Sequence, residues 1–137
     1  MKLLSATIAS LSMMMSSLVH AQQSTTTTRS GADSPLLGDI RRVAPALEKY
    51  SQGALFGDVW KRPGLSPRDR SVVTLAALIA RNQTIEMGYY LNVALDNGVK
   101  PREISEIITH LAFYVGWPNA FSALPVAKDV FEKRPRQ

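Results

Sequence analysis

Apolar residues recur with a helical period through most of this chain. Ser34-Pro35 and Ser66-Pro67 each place a capping side chain directly before a proline, which is typical of a helix start. The first pair predicts a short helix. Because Pro45 would break that helix, a second short one is predicted from about Ala44 to Ser51.

The second half of the chain predicts four longer helices. The helix that follows Ser66-Pro67 is apolar on most sides and is therefore predicted to be central. The next begins at Asn82 or Thr84 and ends at Asn97-Gly98, a good C-terminal cap. Two more are predicted, one from Pro101 to Gly116 and one from about residue 119 to residue 133.

Glycine and proline break the stretch between the second and third helices. Gly53, Gly57, Pro63 and Gly64 predict turns there. No segment alternates apolar and polar residues over the length of a strand. The fold class predicted is all-α, a compact bundle of about five to six helices spanning residues 34–137.

The first 21 residues have the pattern of a secretory signal peptide. Met1-Lys2 is positive, residues 3–18 are apolar with interspersed serine, and Val19-His20-Ala21 supplies a cleavage site. A transmembrane anchor is the alternative, but a span needs roughly 20 apolar residues. Residues 22–33, which include four consecutive threonines, predict a disordered leader. We therefore expect a periplasmic or secreted protein, with no membrane contact after cleavage.

Charge and cysteine content narrow the classes of function. The net charge is +5, yet no nucleic-acid recognition motif accompanies it. A solvated basic surface that attracts anionic substrates is the better interpretation, and no nucleic-acid partner is expected. There is no cysteine, so thiol chemistry and disulfides are excluded. Without disulfides, side-chain packing and oligomerisation must stabilise the folded protein.

One histidine remains after signal cleavage. Glu106, His110 and Tyr114 recur at i, i+4, so they stack on one helix face. A carboxylate beside an imidazole raises its pKa and fixes its tautomer, which suits general acid–base chemistry. The alternative is a half-buried histidine with an ordinary helical partner. Glu86 and Tyr90 form a second such pair, which antiparallel packing could bring near His110.

Two arginines lie where a helix disfavours cations. Arg68 and Arg70 fall in the first turns of the third predicted helix, so they require a partner carboxylate or an anionic ligand. Asp69 is the simpler partner. Trp117-Pro118 could either wall a pocket or cap a helix. Because only one histidine remains, the composition disfavours a dedicated transition-metal site. No phosphate-binding loop and no dinucleotide fingerprint is present in the sequence.

The motifs together resemble the carboxymuconolactone decarboxylase family of the alkylhydroperoxidase-D-like superfamily. The resemblance spans about residues 36–131 and is carried by residues 55–60, 62–71, 73–79, 94–99, 103–106 and 110–118. It implies an all-helical domain that assembles into trimers or hexamers, with active sites near subunit contacts.

The two branches of that superfamily differ in their site residues. The peroxidase branch uses Glu-x11-Cys-x2-Cys-x3-His, whose positions fall here on Ser71, Gln83, Glu86 and Tyr90. None is kept, so thiol peroxidase activity is excluded. The decarboxylase branch often has Glu-x3-His where Glu86 and Tyr90 stand, so the tyrosine departs from that pattern too.

The resulting prediction is a decarboxylase or lactone-processing enzyme that uses no cofactor and no metal. Its substrate would be a small anionic or lactone compound, and the protein would be a homo-oligomer. His110 would act as general acid–base, with Glu86, Tyr90 and Glu106 orienting it or donating protons. The substrate would be held by one arginine and walled by aromatic rings: Arg68 or Arg70, with Trp60, Phe113, Tyr114 and Trp117. The alternative is a non-catalytic oligomeric binding protein on the same fold.

Overall fold

The computed structural model describes residues 35–134, and all regular structure within them is helical. The predicted signal peptide and the whole predicted leader lie outside these residues. The described part contains six α-helices, which confirms the predicted class. They are α1 (Pro35–Val43), α2 (Pro45–Tyr50), α3 (Pro67–Ala80), α4 (Thr84–Asp96), α5 (Pro101–Val115) and α6 (Trp117–Lys133), with a π-helix (Ser51–Phe56) and a 3-10 helix (Val59–Lys61) between α2 and α3.

The core lies among the four long helices, with α3 at its centre. Helix α3 packs against α4, α5 and α6, and α6 also packs against α4 and α5. Leu75 and Ile79 of α3 are almost wholly buried, together with Leu91 of α4 and Ile104 of α5. Each such side chain contributes about 1.5–3 kcal/mol when it leaves water. Small alanines on α6 allow that helix to lie close to the others.

The predicted start of α3 and the predicted ends of α4 and α5 are confirmed by their local geometry. The Ser66 hydroxyl accepts a hydrogen bond from the Asp69 amide at 3.0 Å, which satisfies a free N–H of the first turn of α3. Gly98 follows α4 with φ of 88°, and Gly116 separates α5 from α6 with φ of 89°. Only glycine adopts that conformation without strain. These two residues therefore fix where α4 and α5 end.

Two details of the prediction are wrong. The stretch predicted as turns is helical over Ser51–Phe56 and Val59–Lys61, and the turns are confined to Gly57-Asp58 and Pro63-Gly64. Helix α6 begins at Trp117 rather than near residue 119, because Pro118 fits in its first turn, where no N–H partner is needed.

Helices α1 and α2, here called the arm (residues 35–50), lie apart from the main core. The two pack against each other, and α2 packs against the π-helix that follows it. The chain rejoins the four long helices through the 3-10 helix, which contacts α3. Within residues 35–134, no helix is long and apolar enough to cross a bilayer.

Candidate functional site

Four aromatic rings meet where the π-helix and the 3-10 helix approach α4. Trp60 and Phe56 lie roughly parallel to Tyr90, with ring centroids 6.2 and 6.5 Å from it. Tyr89 meets Tyr90 edge to face at 5.0 Å and Phe56 at 6.0 Å. We call these four residues the aromatic cluster. It places the predicted pocket residue Trp60 directly against the predicted site residue Tyr90.

Glu86 lies one helical turn before Tyr90 on α4. Its Oε2 atom is buried and has no hydrogen-bond donor among the described residues. Buried polar atoms are nearly always paired, since an unpaired one costs about 1–3 kcal/mol. A carboxylate oxygen left in this state is the kind of feature that persists where a ligand supplies the missing donor.

The two tyrosines of the cluster are held as neutral phenols. Burial raises the pKa of Tyr90, and the negative charges that Tyr89 and Glu86 can carry raise it further. Burial also raises the pKa of Tyr89. A phenol in this state donates a hydrogen bond at neutral pH and is a poor base. Tyr90 can therefore stabilise a developing negative charge on a substrate oxygen.

Arg70 is bound to the same short helix that carries Trp60. Its Nη2 donates to the Arg62 carbonyl at 2.8 Å, while its Nε is buried without an acceptor. Arg62 in turn forms a two-point ion pair with Asp58 at 2.6 and 3.1 Å, which lowers the pKa of that carboxyl. These contacts tie the end of the 3-10 helix to α3, and they leave the Nε–H of Arg70 as a buried donor without an acceptor among the described residues.

Arg68, the other predicted substrate-binding arginine, already has a protein partner. Its guanidinium pairs with Glu103 at the start of α5, and the second Glu103 oxygen accepts from the Lys100 amide at 2.8 Å. Asp69 lies farther from Arg68, at 3.9 Å. The partner carboxylate anticipated for one of the two arginines is thus Glu103. Of the two, Arg70 is the one with a buried N–H that has no acceptor among the described residues.

His110 belongs to a different surface from the aromatic cluster. It is exposed on α5 rather than half-buried, and its ring lies 4.7 Å from that of Tyr114. Within residues 35–134, no hydrogen bond, ion pair or ring contact joins it to Glu86, Glu106 or Tyr90. Within a single chain, the Glu86–Tyr90 pair and the Glu106–His110 pair are therefore not in contact. The catalytic role of His110 stays a prediction.

The other predicted wall residues lie on the His110 side of the molecule. Phe113 and Trp117 meet edge to face at 5.8 Å, and Trp117 meets Phe121 in the same way at 5.7 Å. We call these three the aromatic ladder. They are between 54% and 75% exposed, and Tyr114 beside them is 73% exposed. They form a surface strip, whereas Trp60 packs within the aromatic cluster.

Sequence reasoning did not assign Phe56 and Tyr89 to the site. Phe56 ends the π-helix and Trp60 lies in the 3-10 helix, and their rings come within 5.9 Å of each other across the turn at Gly57-Asp58. No spacing pattern in the sequence indicates that contact. Tyr89 is adjacent to Tyr90, and adjacent residues on a helix do not face each other, so no spacing pattern assigns it to the site. No group of three or more His, Asp or Glu side chains suited to a metal ion occurs in the described range.

Comparison with known proteins gives the family. Residues 45–129 match the carboxymuconolactone decarboxylase family. A 4-carboxymuconolactone decarboxylase of Acinetobacter baylyi is 39% identical over 77 residues, covering 56% of this chain and 58% of that protein. A nitrosuccinic acid decarboxylase of Metarhizium robertsii is 38% identical over 84 residues, covering 61% and 58%. This chain thus spans somewhat more than half the length of these relatives. Residues 45–129, which match the family, include all four residues of the aromatic cluster. The chain belongs to the carboxymuconolactone decarboxylase family.

Proposed function

We propose that this protein is a decarboxylase of small carboxylated substrates that works by acid–base chemistry without a cofactor. The observation that carries the proposal is the buried, unpaired oxygen of Glu86 one turn before Tyr90. Both relatives named above are decarboxylases, which supports the same class of reaction here. Carboxymuconolactone and nitrosuccinate are the first compounds to test.

The substrate carboxylate would bind Arg70. Its Nε–H has no acceptor among the described residues, and its Nη2 donates to the carbonyl of Arg62, two residues after Trp60 in the sequence. A charged donor to a carboxylate gives a stronger hydrogen bond than a neutral one. The rings of Trp60 and Phe56 would exclude water from the remaining, less polar part of the substrate.

Tyr90 and Glu86 would then act on the reacting centre. The carbon–carbon bond to the departing carboxylate breaks, carbon dioxide leaves, and the electron pair is delocalised onto an oxygen of the substrate. The neutral Tyr90 hydroxyl donates a hydrogen bond to that oxygen. A proton from solvent, relayed through Glu86, completes the reaction at carbon. Phenol donors of this kind act where negative charge develops, as in an oxyanion hole.

Turnover of the wild-type protein and of two site variants tests this proposal. Tyr90→Phe keeps the ring and removes the donor, so we expect kcat to fall about 10²-fold, as for other single donors. Glu86→Gln removes the proton relay, and we expect a loss on the order of 10²–10⁴-fold. Asp129→Asn, an exposed ion-pair partner on α6, is the control.

Saturable binding of a carboxylated compound without release of carbon dioxide would contradict the proposal. That outcome would favour the non-catalytic binding protein. Full activity in both Tyr90→Phe and Glu86→Gln would place the chemistry elsewhere in the molecule, with His110 as the first alternative.

We propose further that the protein is a trimer or hexamer in which His110 acts across a subunit boundary. The aromatic ladder and Tyr114 beside it support self-association, because four neighbouring exposed aromatic side chains exceed the isolated apolar residues usual on a monomer. Mixed oligomers of His110→Ala and Glu86→Gln subunits should regain part of the activity if each site needs both residues from different copies. A monomeric mass by light scattering would refute the assembly.

Export is the remaining proposal, and it rests on the sequence pattern of residues 1–21. Intact-mass analysis of a periplasmic extract should detect a chain that begins at Gln22. A full-length chain retained in the cytosol would refute it.

A further inference from the structure

Two buried atoms of opposite hydrogen-bonding character lie on the packed helices α3 and α4. Among the side chains of residues 35–134, Glu86 Oε2 on α4 and Arg70 Nε on α3 are buried without a hydrogen-bond partner. A carboxylate oxygen accepts hydrogen bonds, whereas a guanidinium N–H donates them. Because the two atoms do not pair with each other, one bound molecule that both accepts and donates would satisfy both.

Arg70 is joined to the short helix that carries Trp60. Its Nη2 donates to the Arg62 carbonyl at 2.8 Å, two residues after Trp60, so the guanidinium is held in one orientation. The side chain of Arg62 is itself paired with Asp58. The Nε–H of Arg70 therefore has a fixed direction, and the acceptor that matches such a cationic donor best is a carboxylate.

Glu86 lies beside Tyr90, whose ring stacks on Trp60 with centroids 6.2 Å apart. Burial raises the pKa of Tyr90, and the negative charges that Tyr89 and Glu86 can carry raise it further, as expected for a carboxylate close to the phenol. The two unpaired atoms thus border the same short helix, because Tyr90 stacks on its Trp60 and Arg70 binds its carboxyl-terminal end.

Charge decides which groups the bound molecule carries. A carboxylate on Arg70 forms a hydrogen bond between two ionised groups. A second ionised carboxylate beside Glu86 would be repelled by its like charge, so the group that meets Glu86 is a donor. A hydroxyl is favoured over an ammonium group, because aromatic rings border this position and a neutral donor leaves water at lower cost than a cation does.

We infer that the substrate of this site is a hydroxy acid, whose carboxylate accepts from Arg70 Nε and whose hydroxyl donates to Glu86 Oε2. The Tyr90 hydroxyl then donates to a further oxygen of the same molecule. The inference rests on the site proposed above and adds the group that Glu86 recognises. A site built to bond a hydroxyl discriminates strongly against an analogue without one, because its buried acceptor then stays unpaired.

Two triplets of acids of similar shape test the inference by binding alone. Malate, aspartate and succinate carry a hydroxyl, an ammonium group or a hydrogen at one carbon, and so do mandelate, phenylglycine and phenylacetate. The Kd of each acid is taken from the rise of Tm with its concentration, at one protein concentration. In the wild-type protein we expect the hydroxy acid of at least one triplet to bind about 10–100-fold more tightly than both of its analogues.

Two variants separate the two contacts. Glu86→Met removes the acceptor, so the hydroxy acid and its hydrogen analogue should bind equally. Arg70→Met removes the donor, so every acid should bind about tenfold more weakly or worse, with the ratio between hydroxy acid and hydrogen analogue unchanged. Glu132→Met, which removes an exposed carboxylate from α6, is the matched control and should change neither quantity. Circular dichroism checks that each variant is folded.

Three results would overturn the inference. If neither hydroxy acid binds, or neither binds more tightly than its hydrogen analogue, Glu86 does not recognise a hydroxyl. Tightest binding of an amino acid would assign the position beside Glu86 to an ammonium group. A preference that survives in Glu86→Met would place the hydroxyl of the bound acid on another residue.

Binding of these acids and decarboxylation are tested separately. None of the six acids has a ketone or lactone that could take up the electron pair of a departing carboxylate, so their binding does not measure turnover. Release of carbon dioxide from carboxymuconolactone and nitrosuccinate tests the proposed function. Decarboxylation without a preference for hydroxy acids would refute the inference alone, and the preference without any decarboxylation would refute the proposed function alone.

Discussion

Replacing Glu86 by methionine should stabilise the protein while abolishing its activity. Glu86 keeps a buried oxygen without a donor, and such an atom costs about 1–3 kcal/mol. Methionine has a similar length and no polar atom, so the substitution removes that cost. It also removes a negative charge from the first turn of α4, where the helix dipole makes a carboxylate favourable by about 0.3–1 kcal/mol. The first effect is the larger.

We therefore expect a net gain of about 1 kcal/mol for Glu86→Met, which corresponds to roughly 4–8 °C in Tm for a domain of this size. Glu86→Gln should not share the gain. It loses the interaction with the helix dipole and still places polar atoms in the same buried position. The predicted order of stability is Glu86→Met above wild type, with Glu86→Gln at or below wild type.

Thermal and denaturant unfolding at one fixed protein concentration measures this order, since association makes Tm depend on concentration. Glu106→Met is the matched control, because Glu106 is exposed on α5 and its replacement should change stability by less than about 0.5 kcal/mol. If Glu86→Met is destabilised by about 1 kcal/mol or more, its oxygen has a stabilising partner, and the basis for placing the site there fails.

Four further outcomes follow from single contacts. Tyr90→Phe should remove a late step from the ionisation of tyrosine followed by ultraviolet absorbance at alkaline pH. Burial raises the pKa of Tyr90 above 10.0 in the folded protein, so the stability that the neutral phenol contributes is present below pH 10.0 and is lost as pH rises through the pKa of the folded protein. Ser66→Ala should cost about 1 kcal/mol by urea unfolding, because it removes the cap of α3. Gly116→Ala should cost about 1–3 kcal/mol in the same assay through backbone strain at φ of 89°, and a neutral result would contradict this origin. Arg134→Ala should lower the free energy of unfolding by about 1 kcal/mol more than Lys133→Ala. Arg134 binds both Asn92 and Asp96 of α4, whereas Lys133 makes one exposed ion pair with Asp129. Equal losses in the two variants would refute this prediction.

The sequence by itself determined the helical fold and most helix boundaries. Cap residues act locally: Ser66 bonds an amide three residues away, and Gly98 takes a conformation that other residues avoid. The helical period of the apolar residues also predicts the buried face of α5, on which Ile104 and Ile108 lie. The absence of cysteine excluded thiol chemistry without any structure.

Tertiary structure decided which candidate residues meet. The i, i+4 pairs at Glu86 and at Glu106 give the same signal in the sequence, yet only the first lies against other elements, where Phe56 and Trp60 cover Tyr90. Likewise Arg68 and Arg70 share one helix turn, but Arg68 pairs with Glu103, 35 residues away, whereas Arg70 donates to the Arg62 carbonyl and keeps a buried Nε–H without an acceptor among the described residues. Long-range packing selects among equivalent local patterns, because a side chain's partners depend on how whole helices dock and not on its neighbours in sequence.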